Sequence, residues 1–409
     1  MKSRWFLAVI MVLMQMMASA ADRHFLVLSD AHVDSLSKHH MQLNLSGQYV
    51  YNDLDVPSFQ LLLDNMTDGI QRGTVPKPKF IVFLGDLVGH VRFTPHFALN
   101  SETLFFTQLT KKFPNTPIFY IFGNNDSIQK DYGPFSSPNG KNQWITPLDV
   151  AKSTGQWKGN FLSTGVVYQK TNSEFPCIIE ENQRDGYYAA YLEPSLRLIA
   201  LNSVVFSSLY TEGREQKAAA DQLNWLKLQL NEAARQRESV LLAMHIPPGI
   251  NVYNDKAFWT TATNAQFLTL IKQHHSIIMA ILAAHTHKEE VKVIQDSSHH
   301  NLAGVYMQAA LSTAHGNAPS FRTYSYAKNN QQWQLTNYVT YHFIKNNHAG
   351  MILKTLYDYR HYYCNNSNES MLQCLHHITL EKLQRYFLAG NESYHETIAD
   401  PQRVWIEVS

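Results

Sequence analysis

The chain has 409 residues, 44% hydrophobic and 12% aromatic, which is ample for a large core with an appendage. Basic residues number 34 and acidic residues 33, for a formal net charge of +1. That balance offers no basic footprint for a nucleic-acid duplex.

The first element in chain order is MKSRWFLAVIMVLMQMMASA. Lys2 and Arg4 precede an apolar run from Trp5 to Met17, and Ala18-Ser19-Ala20 closes it. This order predicts a cleavable signal peptide over residues 1–20 and a secreted or periplasmic protein. No later run is long and apolar enough to cross a bilayer.

Six apolar runs then read as buried strands: FLVLS (25–29), KFIVFLG (79–85), PIFYIFG (117–123), LRLIALN (196–202), SVLLAMH (239–245) and SIIMAILAAH (276–285). Continuous runs of this kind suit sheets covered on both faces. DQLNWLKLQLNEAARQRE reads as a helix begun by Asp221, with Leu223, Leu226 and Leu230 on one face. Strands alternate with helices, so the class is α/β.

After Phe343 the pattern changes. MILKTLYDYRHYYC and ESMLQCLHHITLEKLQRYFLAG read as amphipathic helices, with Met371, Leu375 and Ile378 at helical spacing. The predicted organisation is a catalytic domain over 21–344 and a helical C-terminal subdomain over 345–409. That subdomain either packs on the main domain or serves as a lid or lipid-facing element. Cys364 and Cys374 are close enough in sequence to pair across a short loop, and Cys177 is expected to be a buried thiol.

Metal-ligand residue types collect at the predicted strand ends. Asp30-Ala31-His32 follows the first run, Gly85-Asp86 ends the second and Gly123-Asn124 the third. His245 ends the fifth, and His285-Thr286-His287 the sixth. The carboxyl ends of strands form the ligand crevice of open α/β sheets. Carboxylate, amide carbonyl and imidazole suit Zn²⁺ above all, with Mn²⁺ and Fe as alternatives. Asp86 is the natural bridge between two divalent ions; Asp30, His32 and His287 complete one site, and Asn124, His245 and His285 the other. The adjacent histidines at 39–40, 274–275, 299–300 and 376–377 read as solvated or loop residues, while His315 is a candidate for the cleft wall.

D-x-H, G-D, G-N, H and H-x-H in that order resemble the calcineurin-like metallophosphoesterases. GDLVGH, MHIPPGI and NAPSFRTYSY are similar to segments of the acid sphingomyelinase-like phosphodiesterase branch. The resemblance covers about Asp22 to Phe343. It implies a four-layer sandwich of two mixed β-sheets flanked by helices. It also implies attack by a metal-bridging hydroxide, with His90 protonating the leaving oxygen. Two departures stand out. Ala284 precedes His285 where glycine is usual, and Asn125 replaces a histidine usual in the G-N-H-[DE] loop. The resulting G-N-N-D form resembles the endopolyphosphatase branch. An amide at 125 can hydrogen-bond a phosphoryl oxygen but cannot protonate a leaving group.

The expected function is that of an exported phosphoric ester hydrolase, monomeric, acting on a small phosphorylated substrate. Loss of the Asn125-position imidazole costs least with phosphoanhydrides. No saposin-like module lies between the expected cleavage site and Asp30. Both points favour nucleotide-type or polyphosphate substrates. Sphingomyelin hydrolysis releasing phosphocholine is the alternative, with an inactive metal-binding scaffold more remote. Membrane contact is compatible with the sequence.

Overall fold

A computed structural model describes residues 22–36, 53–90, 94–127, 131–133, 160–163, 166–168, 175–182, 184–210, 213–346, 350–365, 367–391, 398 and 400–408. The expected signal segment and the histidines at 39 and 40 lie outside the described residues.

The six expected strands form: β1 (Arg23–Leu28), β4 (Ile81–Phe83), β5 (Ile118–Tyr120), β10 (Leu196–Ala200), β11 (Ser239–Ala243) and β12 (Ile278–Ala283). Two short strands, β2 (Val33–Asp34) and β3 (Leu54–Asp55), pair parallel as a separate two-stranded sheet. The remaining strands are β6 (Asn160–Ser163), β7 (Val166–Tyr168), β8 (Cys177–Asn182) and β9 (Tyr187–Glu193), then β13 (Glu290–Asp296) and β14 (Asn301–Met307). The chain continues with β15 (Ser320–Asn329), β16 (Gln332–Asn346), β17 (Gly350–Asp358) and β18 (Trp405–Val408).

They make two mixed eight-stranded sheets. The first has the order β17-β16-β15-β1-β4-β5-β7-β6 and the second β18-β13-β14-β12-β11-β10-β9-β8. The strands that carry the site are parallel neighbours: β1, β4 and β5 in the first sheet, β11 and β12 in the second. Parallel pairing brings their carboxyl ends to one edge of each sheet.

Side-chain alternation along the strands builds four layers. Phe25 and Val27 of β1 join a core shared with Leu198, Leu241 and Leu282 of the opposite sheet. Leu26 and Leu28 join Phe59 and Leu62 of the helix Val56–Gln71. In the second sheet Val240 and Leu242 belong with Leu223 and Leu226 of the helix Glu215–Gln236. Each such side chain contributes about 1.5–3 kcal/mol by leaving water. Bonds also cross between sheets, as when Tyr188 donates to the carbonyl of Tyr120 at 3.1 Å.

Two sequence expectations are corrected. The helix expected to begin at Asp221 begins at Glu215. Residues Glu215–Ala220 (EQKAAA) are strong helix formers, and buried Ala218 and Ala219 extend its apolar face. Asp221 sits inside the helix and pairs with Lys217.

The expected helical tail is helical only in its middle: its first and last segments are strands of the two sheets. MILKTLYD forms β17, antiparallel to β16, and the expected boundary at 344 falls inside β16. Its apolar residues fit either period, and pairing covers the backbone edge that the 15-residue β16 would otherwise expose. Three short helices follow, Tyr359–Tyr363, Met371–Cys374 and Leu380–Tyr386. Met371, Leu375 and Ile378 are buried. Cys364 and Cys374 form a disulfide. β18 then pairs parallel with β13 at the edge of the second sheet. Cys177, expected to be buried, opens β8 at intermediate burial. No described helix is long and apolar enough to cross a membrane.

Candidate metal centre

Each expected ligand lies just past its strand, in a loop whose backbone turns sharply. Asp30 (φ 46°), His32 (φ 41°), Asp86 (φ 55°), His285 (φ 79°) and His287 (φ 62°) all adopt the left-handed conformation. That conformation costs an L-residue roughly 1–3 kcal/mol and concentrates at functional sites. The loops are zipped together: the amide of Asp30 donates to Gly85 O at 2.9 Å and that of His32 to Asp86 O at 3.1 Å. Gly123 is required by contact, because a Cβ there would strike the Asp86 carboxylate and its amide.

The structure brings Asp30, His32 and His287 together as one group, and Asp86, His245 and His285 as another; within each, one ligand atom per residue lies within 4.8 Å of the others. His287 Nε2 is 3.1 Å from His32 Nε2 and 3.4 Å from Asp30 Oδ1. His245 Nε2 is 3.2 Å from Asp86 Oδ2, which also lies 3.7 Å from His32 Nε2. Asp86 therefore stands between the groups.

Outer hydrogen bonds set the tautomers. His32 Nδ1–H donates to Val88 O at 3.1 Å, and His245 Nδ1–H donates to Leu84 O at 2.7 Å. Both rings then turn an Nε2 lone pair inward, as metal-ligating imidazoles require. Asn124 donates its amide to Asp131 Oδ1 at 2.7 Å, while its own Oδ1 is buried without a hydrogen-bond partner. An orphaned carbonyl oxygen, on the residue next to the Asn125 that bonds Asp86, fits a cation.

The electrostatics fit as well. Burial drives His32 and His285 down to about 3, assisted by His90 and His245 respectively. Burial also lowers His245, but the carboxylates of Asp86 and Asp30 outweigh it and raise this ring to about 9. Burial raises Asp30 to about 7, against the pull of His245. Burial opposes ionisation of Asp86, but the surrounding imidazoles win and hold it below the ordinary carboxylate range.

His90 is exposed at the rim, stacked on His32 with ring centroids 3.9 Å apart. Burial lowers its pKa, but a hydrogen bond and the charge of Asp53 more than compensate, and the net shift is upward. His315 lies in the wall, its ring 4.4 Å from that of His287 and 6.1 Å from that of His90. Of the described adjacent histidines, those at 299–300 and 376–377 are exposed.

Asn125 departs from expectation. It is 3% exposed and faces Asp86 instead of an open phosphoryl position. Its backbone amide donates to Asp86 Oδ1 at 2.8 Å and its Nδ2 to Asp86 Oδ2 at 3.0 Å. The reason is the single 3₁₀ turn Asn124–Asp126, which folds residue 125 back onto the Gly-Asp loop.

Sequence reasoning missed three carboxylates. Asp126 accepts from the amides of Asp86, Leu87 and Gly123 at 2.9, 2.8 and 2.6 Å, clamping the two loops. Its place in G-N-N-D was the available signal. Asp131 orients Asn124, and Asp53 holds His90. Neither of these carries a motif.

This chain belongs to the calcineurin-like phosphoesterase family, which residues 23–289 match. The family implies a dinuclear divalent-metal centre, and the groups above could hold one. Within the family the chain is similar to acid sphingomyelinase-like phosphodiesterase 3b of Mus musculus, 28% identical over 237 residues, covering 54% of this chain and 46% of that protein. It is also similar to cyclic GMP-AMP phosphodiesterase SMPDL3A of Mus musculus, 23% identical over 264 residues, covering 60% of this chain and 53% of that protein. The chain spans about half the length of these curated relatives. A solved dimetal phosphatase from Danio rerio overlays with a TM-score of 0.44 at 12% identity, covering 81% of this chain and 98% of that one.

Proposed function

We propose that this protein is an exported hydrolase of phosphodiesters or phosphoanhydrides, with nucleotide-type or polyphosphate substrates. Asp30, His32 and His287 would hold one divalent ion, Asn124, His245 and His285 a second, and Asp86 both. Zn²⁺ suits this donor set best. The observation that carries the reading is the convergence of six ligand-type side chains from four strand ends, in two groups between which Asp86 stands.

When bound, the ions supply charge stabilisation at the phosphoryl oxygens and an activated water. The chain's own residues do the rest. Asp86 is held by Asn125, and the Gly-Asp loop by Asp126, so the shared carboxylate keeps one orientation. His32 and His245 keep their Nε2 atoms inward through their Nδ1 bonds. His90, one ring away from His32, protonates the leaving oxygen. Residues 1–20 support export through their charged start, apolar run and A-x-A ending.

A substrate panel with purified mature protein tests this. Bis(p-nitrophenyl) phosphate, nucleoside di- and triphosphates, polyphosphate and sphingomyelin are compared with and without chelator. Chelator-sensitive turnover of nucleotides or polyphosphate above sphingomyelin is expected. Preference for sphingomyelin would favour the lipid reading, which the name of the first relative also supports. No chelator-sensitive turnover on any substrate would defeat the hydrolase reading.

A further inference from the structure

His90 is held from two sides by one carboxylate. Its Nδ1 lies 2.7 Å from Asp53 Oδ1, and its backbone amide donates to Asp53 Oδ2 at 2.5 Å. A carboxylate only accepts, so the Nδ1 atom carries the hydrogen of that bond. The remaining ring nitrogen, Nε2, sits on the ring edge away from Asp53.

Three local features put Asp53 there. The amide of Leu54 donates to His32 O at 3.0 Å, and β3 pairs with β2, so residue 53 is carried next to the D-x-H loop. Position 89 is glycine, and a Cβ there would lie 2.9 Å from Asp53 Oδ2 and 3.4 Å from His32 O. Stacking of His90 on His32, with an interplanar angle of 22°, fixes the ring plane. Position, plane and edge of the ring are thus all set, on a side chain otherwise exposed at the rim.

Resting on the general-acid reading of His90 given above, we infer that Asp53 is the positioning residue that orients His90 for proton transfer to the leaving group. In the step, His90 starts as the imidazolium with a hydrogen on each ring nitrogen and regains its lost proton from solvent afterwards. The oxygen of water forms the new bond to phosphorus, and one of its protons passes to solvent. The bond from phosphorus to the leaving oxygen breaks, and that oxygen keeps the electron pair and takes the proton from His90 Nε2. Asp53 stays ionised, and its bond to Nδ1 persists throughout. A single fixed donor suits this chain, because Asn125 is turned onto Asp86 and cannot donate a proton to the leaving oxygen.

The test uses metal-loaded His90→Ala, Asp53→Ala and the double variant. Each is assayed on an alkyl nucleotide diester and on bis(p-nitrophenyl) phosphate, with metal content measured per chain. General acid catalysis is worth about 10²–10⁴-fold, and a misaligned acid forfeits part of it. Asp53→Ala should therefore lower kcat on the alkyl diester about 10- to 1000-fold and on the p-nitrophenyl diester less than about threefold, with KM and metal content near wild type. Added to His90→Ala, it should cost nothing further, since both changes disable one device. Asp53→Asn, which keeps the size and one acceptor oxygen, should restore part of the alkyl-diester rate, and it carries the test if the alanine variant fails to fold. Equal loss on both leaving groups, or additive losses in the double variant, would mean that Asp53 only supports the loop. If His90→Ala itself shows no dependence on the leaving group, the general-acid reading fails, independently of what Asp53→Ala does.

Discussion

Asn125 donates to both oxygens of Asp86, through its backbone amide at 2.8 Å and its side-chain amide at 3.0 Å. The residue that replaces the usual histidine of this loop is thus spent on the carboxylate that stands between the two ligand groups. Its chemistry is that of an orienting amide beside a shared ligand.

Replacing it by leucine keeps the volume and removes the side-chain donor. Outer hydrogen bonds to ligands typically carry 10- to 100-fold in metal affinity, so Asn125→Leu should weaken binding of the divalent ions by about that factor. Competition with a chelating dye measures it. Affinity unchanged from wild type would show that the backbone amide alone suffices.

Asp86 lies closest to both groups, 3.2 Å from His245 and 3.7 Å from His32, whereas Asp30 Oδ1 reaches His245 only at 3.9 Å. Asp86→Asn should lose one or both ions and nearly all turnover. Two full equivalents of metal by elemental analysis, with wild-type turnover, would end the dinuclear proposal.

Metal uptake should release protons. In the metal-free protein His245 sits at about 9 and Asp30 at about 7, so at pH 7 the imidazole is charged and the carboxyl partly protonated. Both must deprotonate to ligate, and release of about one to two protons per chain is expected. Calorimetry in buffers of different ionisation enthalpy counts them, and a count of zero would contradict the assignment. The stability of the metal-free fold moves differently at low pH. His32 and His285, at about 3 when folded, take up protons only on unfolding between about pH 6.5 and 3. Their contribution is complete above pH 6.5 and is lost as pH falls through that window.

Behind the H-x-H loop, Arg322 and Glu289 form a fully buried pair at 2.5 Å, with Thr340 and the hydroxyl of Tyr357 donating to the same carboxylate oxygen at 3.3 and 2.8 Å. Arg322→Leu leaves that carboxylate without its cation, a loss of about 3–5 kcal/mol for a buried pair broken from one side. Urea titration reads it, and a loss below about 1 kcal/mol would mean that Tyr357 and Thr340 alone stabilise the charge.

The parts of this molecule legible in the sequence are those where local pattern and tertiary role coincide. Buried parallel strands read as apolar runs because both faces are covered, and their ligands follow at once in polar residues such as Asp86 and His245. β17 reads as a helix in the sequence because Met351, Ile352, Leu353 and Leu356 satisfy strand and helix spacing alike, and only the edge of β16 decides between them. Asp53 was invisible for another reason. It reaches His90 through a two-residue strand pair, too short for any periodic signal. Asn125 stands out in the sequence, but its direction depends on a turn that composition does not encode.

The candidate ligands are divided between the sheets. Asp30, His32, Asp86 and Asn124 follow strands of the first, and His245, His285 and His287 follow strands of the second. Ions gripped across that seam would act as rivets, joining two slabs that otherwise meet mainly through side chains. Whatever holds the native state but not the unfolded chain stabilises the whole of it. Chelation should accordingly be felt far from the cleft, as faster amide exchange in β10 and β15 alike. Metal supply would then govern how much of the protein survives proteolysis, and not only how fast each molecule turns over.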